Sequence, residues 1–154
     1  MGTGQYDEKG GSKVGDMEFY NKVKDVFDTL SLVEQSERSI YIIDLGKKLK
    51  ITENVVDMQY LIKDCASAAY IKIYIVDGKI RVEVDSLSMF VRGLLYLLKK
   101  CFDGENMSDI KDFEIDKFML ATGLHMHVTS QRMIGFGGAL KEIKKTIYFT
   151  ERDK

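Results

Sequence analysis

Apolar residues recur along this chain with two different periods, and the change from one to the other marks out its elements. From Asp16 onward, Phe19, Tyr20, Val23, Val26, Phe27 and Leu30 fall on one face of a helix. Ser31 and Glu34 have the spacing of a capping box and predict a second helix start. Its apolar side is Ile40, Tyr41, Ile43 and Leu49, with Gly46 in its last turn. The period then drops to two. Residues Ala69–Val76 are rich in β-branched and aromatic side chains, Asp77-Gly78 is a hairpin turn signal, and Lys79–Val84 alternates as a returning strand. A weaker strand is expected at about Met58–Lys63, which leaves Cys65 in a short connection at one end of the sheet.

Helical spacing then returns. Asp85 and Ser86 offer N-cap oxygens to a long helix ending near Lys100, whose apolar face carries Leu87, Phe90, Val91, Leu94, Leu97, Leu98 and Cys101. Ser108 and Asp116 each predict a short helix. Thr129 or Ser130 caps a last one bearing Met133, Ile134, Leu140 and Ile143, where Gly135, Gly137 and Gly138 lower helix propensity and predict an irregular or closely packed first half. The expected fold class is α+β: a small antiparallel three-stranded sheet packed against several helices. Residues 1–15 are glycine-rich without apolar periodicity and are expected to form a flexible tail, leaving 16–150 as one domain.

Composition narrows the function. With 45% hydrophobic and 31% charged residues the chain reads as globular, and a net charge of −1 argues against a general nucleic-acid binder. No apolar run approaches the ~20 residues that span a bilayer. The N-terminus lacks the apolar core of a secretion signal, so a cytoplasmic location is expected, or an organelle if the source is eukaryotic. Two cysteines in that setting suggest reduced thiols. Monomer is the default for a chain of this size and polarity.

Chemistry centres on those thiols. Cys101 falls on an apolar helix face, where a free cysteine behaves as a small buried hydrophobe. Cys65 lies in Asp64-Cys65-Ala66-Ser67, among small and polar residues where a nucleophilic sulfur can meet a partner. His125 and His127 are two apart, but no Cys-x-x-Cys pair joins them, so no metal site is expected. The glycines at 135–138 are not followed by the Lys-Ser/Thr of a phosphate loop.

Three blocks in order carry a resemblance. Glu37-Arg-Ser-Ile-Tyr-Ile-Ile-Asp-Leu-Gly-Lys-Lys-Leu49, Asp85-Ser86-Leu-Ser-Met-Phe-Val-Arg-Gly93-Leu94 and His127-Val-Thr129-Ser-Gln-Arg132-Met-Ile-Gly135 resemble blocks of the SufE-like sulfur acceptors and flank Cys65 at its expected place. The likeness covers about residues 17–145, and the fold it implies is SufE/IscU-like. It departs at the active-site loop: Asp64 stands for the usual Gly, Ala66 for Gln, Ser67 is kept, Tyr70 takes the aromatic position and Tyr60 stands for an Asn.

The resemblance implies a carrier and activator rather than a stand-alone enzyme. Cys65 takes persulfide sulfur from a SufS-like, pyridoxal-phosphate-dependent cysteine desulfurase and passes it toward an iron–sulfur scaffold complex. The pyridoxal phosphate belongs to the partner, and no cofactor is expected here. Asp64, Ala66, Ser67, Asp85 and Arg132 are then candidates for contacting the partner or positioning the loop, with helix capping the competing role for Asp85 and a structural ion pair that for Arg132. The Asp64 carboxylate disfavours a thiolate beside it and Lys63 opposes that effect, so Cys65 is expected to be sluggish alone and activated on docking. The alternative function is a binding module that activates a desulfurase or other partner without carrying sulfur. An iron–sulfur scaffold of related fold needs three cysteines, and two are present.

Overall fold

A computed structural model of the chain describes residues 11–50, 55–62, 67–123 and 130–152, with side chains from residue 17 in the first helix and from residue 136 in the last. The elements in order are α1 (Gly11–Leu32), a 3-10 turn (Gln35–Glu37), α2 (Arg38–Lys47), a second 3-10 turn (Met58–Tyr60), β1 (Ala69–Val76) and β2 (Lys79–Ser86). Four helices follow: α3 (Met89–Phe102), α4 (Met107–Ile110), α5 (Ile115–Thr122) and α6 (Ser130–Arg152). The α+β class stands.

Helix α1 buries Phe19, Tyr20, Val23, Phe27 and Leu30, the face its spacing predicts, against α3, α4 and α5. The helix is already present at Gly11, ahead of the expected onset at Asp16. Ser31 is not a cap. It lies in the last turn of α1, and the Arg38 guanidinium satisfies that end, donating to the carbonyls of Val33 (2.9 Å) and Ser31 (3.3 Å). Neither Glu34 nor Glu37 makes a side-chain cap at the helix starts that follow them.

The buried face of α2 is Ile42, Leu45 and Gly46, continued by Leu49, while Ile40 is exposed. Close approach to α3 selects this face. A Cβ on Gly93 would overlap the Ile42 carbonyl, and one on Gly46 would overlap the Met89 carbonyl, so two glycines let the backbones touch.

The sheet is a single hairpin in register from Val76↔Lys79 to Ala69↔Ser86. Asp77 (φ 53°) and Gly78 (φ 75°) both adopt the left-handed conformation that a tight two-residue turn requires. The opposed pairs Ile71↔Val84, Ile73↔Val82 and Ile75↔Ile80 share the face toward the helices. Helix α3 packs on β2 and α6 on β1.

Among the described residues the expected third strand shrinks to one bridge, Leu61↔Tyr70. The cause is local. The Asp57 side chain accepts from the Gln59 amide at 3.0 Å, and the amides of Tyr60 and Leu61 bond back to Asp57 and Met58, which turns the segment before it can extend. The free edge of β2 is covered instead by residues 103–107: Ile80 N–H donates to Glu105, Gly104 N–H to Ile80, and Asp103 accepts from the Val82 amide.

A cluster of rings fills the space between α1, α3 and α5. Phe102 lies 5.0 Å from Phe19, 5.2 Å from Phe113 and 5.3 Å from Phe118 between centroids. The Tyr20 hydroxyl accepts from the Glu114 amide at 2.6 Å and so fastens the start of α5 to α1. The last helix is regular from Ser130 despite its glycines, and Phe136, Ala139, Leu140, Ile143 and Ile147 anchor it. Among the described residues nothing crowds a Cβ at Gly137.

Candidate functional site

Cys65, Asp64 and Ala66 lie within residues 63–66, outside the described residues, as do His125 and His127. The segments on either side of 63–66 are described, and they are hydrogen-bonded to each other. Ile62 N–H donates to the Ala69 carbonyl at 2.8 Å, next to the Leu61↔Tyr70 bridge. The connection that carries Cys65 therefore starts and ends on a closed stem.

Its return side is anchored a second time. The Ala68 carbonyl accepts from the Ser86 hydroxyl (2.7 Å) and from the Leu87 amide (3.1 Å). Ser86 Oγ in turn accepts from the Ser88 amide at 3.1 Å. Two donors on one carbonyl tie Ala68, and half-buried Ser67 before it, to the end of β2 and the entry to α3.

Asp85 stands behind this anchor. The structure moves the N-cap of α3 from Asp85 or Ser86 to Ser88, whose Oγ accepts from the Val91 amide at 3.3 Å. Asp85 is buried instead, its Oδ1 accepting from the Ser86 amide at 2.7 Å and lying 3.2 Å from Arg92 Nε. The Arg92 N–H at that position is not aimed at an acceptor, so the contact is one of charge rather than a linear hydrogen bond. Arg92 Nη2 donates to the Leu49 carbonyl at 3.4 Å. The end of α2, the start of α3 and the end of β2 thus meet on one guanidinium.

Sequence reasoning passed over Arg92 as a site residue. The available signal was a charged residue between the buried Val91 and Gly93 in the otherwise uncharged first ten residues of the helix, since such a charge needs a counter-ion. The sequence casts Ser86 as a cap, and the structure makes it the holder of the Ala68 carbonyl. Arg132 lies in α6, with its side chain outside the described residues.

Cys101 is fully buried on α3, and burial pushes its thiol up to about 12. It has the environment of a packing residue and not of a nucleophile. Two apolar side chains flank the loop stem in solvent: Met58 is 75% exposed on the approach, and Leu87, beside Ala68, is 79% exposed. No group of three or more metal-ligating side chains occurs among the described residues, and none of their helices is long and apolar enough to cross a membrane.

Residues 24–147 match the SufE family model, described as an Fe-S metabolism associated domain. The chain is 28% identical over 130 residues to a cysteine desulfuration protein SufE of Wigglesworthia glossinidia brevipalpis, covering 83% of this chain and 90% of that one. It is 34% identical over 89 residues to an uncharacterized SufE-like protein of Synechocystis sp., covering 57% of this chain and 55% of the relative. A SufE-like protein of Rhizobium meliloti is 28% identical over 122 residues, with 76% and 87% covered. The solution structure of a hypothetical protein from Thermus thermophilus superposes with a TM-score of 0.66 at 18% identity, covering 82% of this chain and 93% of that one, and so shares the fold.

Proposed function

The chain belongs to the SufE family of Fe-S metabolism associated domains, and from that premise we propose that Cys65 accepts sulfane sulfur from a cysteine desulfurase for iron–sulfur cluster assembly. The observation that carries this reading is the state of the other thiol. Cys101 is buried and held protonated, so of the two cysteines Cys65 is the one left for exchange with a partner.

In the proposed step the Cys65 thiolate attacks the outer sulfur of the partner's cysteine persulfide. A new S–S bond forms at Cys65, the S–S bond in the partner breaks, and the partner cysteine leaves as a thiolate. One sulfane sulfur moves and no outside oxidant is used. The pyridoxal phosphate that first liberates sulfur belongs to the desulfurase, and the acceptor needs no cofactor of its own. That a relative is named a cysteine desulfuration protein supports the same partner.

The stem supports the role physically. An acceptor loop must present its sulfur to a second protein while its ends stay fixed, and the double anchoring of Ala68 with the Ile62–Ala69 bond fixes both ends. Exposed Met58 and Leu87 give a partner two apolar contacts beside the loop. In this reading Asp64, the neighbour of Cys65 in sequence, lowers the thiolate fraction of the free protein against the opposing effect of Lys63, and docking speeds the exchange.

Incubation with a pyridoxal-phosphate cysteine desulfurase and free cysteine, followed by intact-mass measurement, tests the proposal. Wild type is expected to gain one reductant-labile sulfur, and Cys65→Ser none. If Cys65→Ser stimulates the desulfurase as well as wild type does, Cys65 is no carrier and the non-carrying activator takes its place.

A further inference from the structure

Away from the loop, two adjoining hollows run over the surface where the C-terminal ends of α2 and α3 approach α1. The larger, about 340 Å³, is lined by Lys48, Lys50, Lys99 and Lys100 around Leu49 and Tyr96. The second, about 270 Å³, shares Lys48, Tyr96 and Lys100 with it and continues to Thr29 and Asp25 of α1. Together they make a trough with the Tyr96 ring shared by both hollows and the Tyr41 ring in the second.

The charge in this trough is unbalanced. The protein as a whole has 23 basic and 24 acidic side chains. Lys22, Lys24 and Lys47 each meet a carboxylate, yet Lys48, Lys50, Lys99 and Lys100 meet none among the described residues. Lys100 Nζ lies 5.8 Å from the centre of the Tyr96 ring. The one carboxylate in the larger hollow, Asp103, is already engaged by Arg81 Nε at 3.1 Å and the Val82 amide at 2.8 Å. Helix dipoles account for cations at the ends of α2 and α3. They do not account for four converging on one trough around Leu49 and Tyr96.

We propose that this trough docks an acidic segment of a partner protein, with carboxylates spread over several residues and an apolar side chain laid on Tyr96 and Leu49. A discrete phosphate fits it less well. Helix C-termini present carbonyls here and not the N–H groups that cradle phosphate. The lysines stand on flexible stems without the fixed fork of an arginine. Distributed ammonium groups along a trough match distributed carboxylates, and they steer association more than they tighten it. From Met89, beside the loop anchor, to Lys99 is about 15 Å along α3 at ~1.5 Å per residue. An occupant here leaves the Cys65 stem open, and the docking does not depend on whether Cys65 carries sulfur.

The test is a nitrogen-15 NMR titration of the full chain with a short synthetic peptide of Glu residues interrupted by Leu. Saturable shifts are expected at the amides of Lys48, Leu49, Tyr96, Lys99 and Lys100. Affinity should fall about tenfold or more in Lys48→Glu/Lys99→Glu/Lys100→Glu and as salt is raised. The neutral Lys48→Gln/Lys99→Gln/Lys100→Gln variant gives the same comparison if charge reversal perturbs folding. Absence of saturable shifts in the trough, or equal affinity in the variants, overturns the proposal. Shifts of the same amides by tripolyphosphate or single-stranded RNA with none by the peptide overturn it as well and assign a phosphate site.

Discussion

A thiol-reactive disulfide reagent such as DTNB, added in excess to the native protein near pH 8, is expected to label one cysteine and leave Cys101 untouched. With its pKa near 12, about one Cys101 in ten thousand is a thiolate at that pH, against about one in four for an ordinary thiol of pKa ~8.5. The more basic thiolate is intrinsically the better nucleophile, by roughly 40-fold for a Brønsted slope near 0.45, which leaves a deficit of roughly 60-fold from ionisation alone while the thiol stays buried. Access then dominates. Cys101 has 0% exposure, so the reagent must wait for an opening that a domain of ordinary stability, ~5–15 kcal/mol, populates in well under one molecule per thousand. In that open state the thiol is solvated and ionises like an ordinary one, so access alone predicts a rate at least ~10³-fold below that of an accessible thiol. The assay is the stoichiometry and rate of thiolate release, native and then in denaturant, with Cys65→Ser and Cys101→Ala as partners. Native wild type should give one equivalent, Cys65→Ser none, and denatured wild type two. Two equivalents released at similar rates from the native protein would refute the burial of Cys101 and remove the elimination that points to Cys65.

The same burial predicts a pH effect. A thiol pKa raised in the native state means the folded protein keeps a proton that the unfolded chain releases near pH 9, so this stability is complete below about 9 and is lost as pH climbs toward about 12. Urea melts across that range should fall less steeply for Cys101→Ala than for wild type. Gly93→Ala gains about 1 kcal/mol of helix propensity but drives a Cβ into the Ile42 carbonyl, which has no rotamer to escape to. A net loss of about 2 kcal/mol is expected, seen as a melting temperature lower by ~4–8 °C, and an unchanged or raised value contradicts the backbone contact. Asp85→Asn keeps an acceptor for the Ser86 amide but strips the charge facing Arg92, at a cost of about 3 kcal/mol in urea melts that Asp85→Asn/Arg92→Met should partly restore. Hydrogen exchange at Ile62 and Leu87, whose amides hold the loop stem, should quicken more in Asp85→Asn than exchange in the interior of α1 does.

Much of this protein was legible in the order of its residues, because periodicity is a local property. The α1 face, the Asp77-Gly78 turn and the long apolar α3 follow from spacing alone, since 3.6-residue and two-residue repeats have no other economical arrangement. The resemblance blocks placed the family, and Cys101 showed its packing role in the company it keeps on its helix. Tertiary structure decided the rest. Ser31 and Glu34 match a capping pattern, yet a guanidinium from the next helix closes α1 there. Ile40 is as apolar as Ile42, but the touching glycines chose which of them is buried. Met58–Lys63 has the composition of a strand, and one Asp57 hydrogen bond turned most of it aside. The link from Leu49 through Arg92 and Asp85 to the stem that carries Cys65 joins residues far apart in the chain. Spacing cannot report a contact between residues that meet only when the helices have packed, and that is where this site takes its shape.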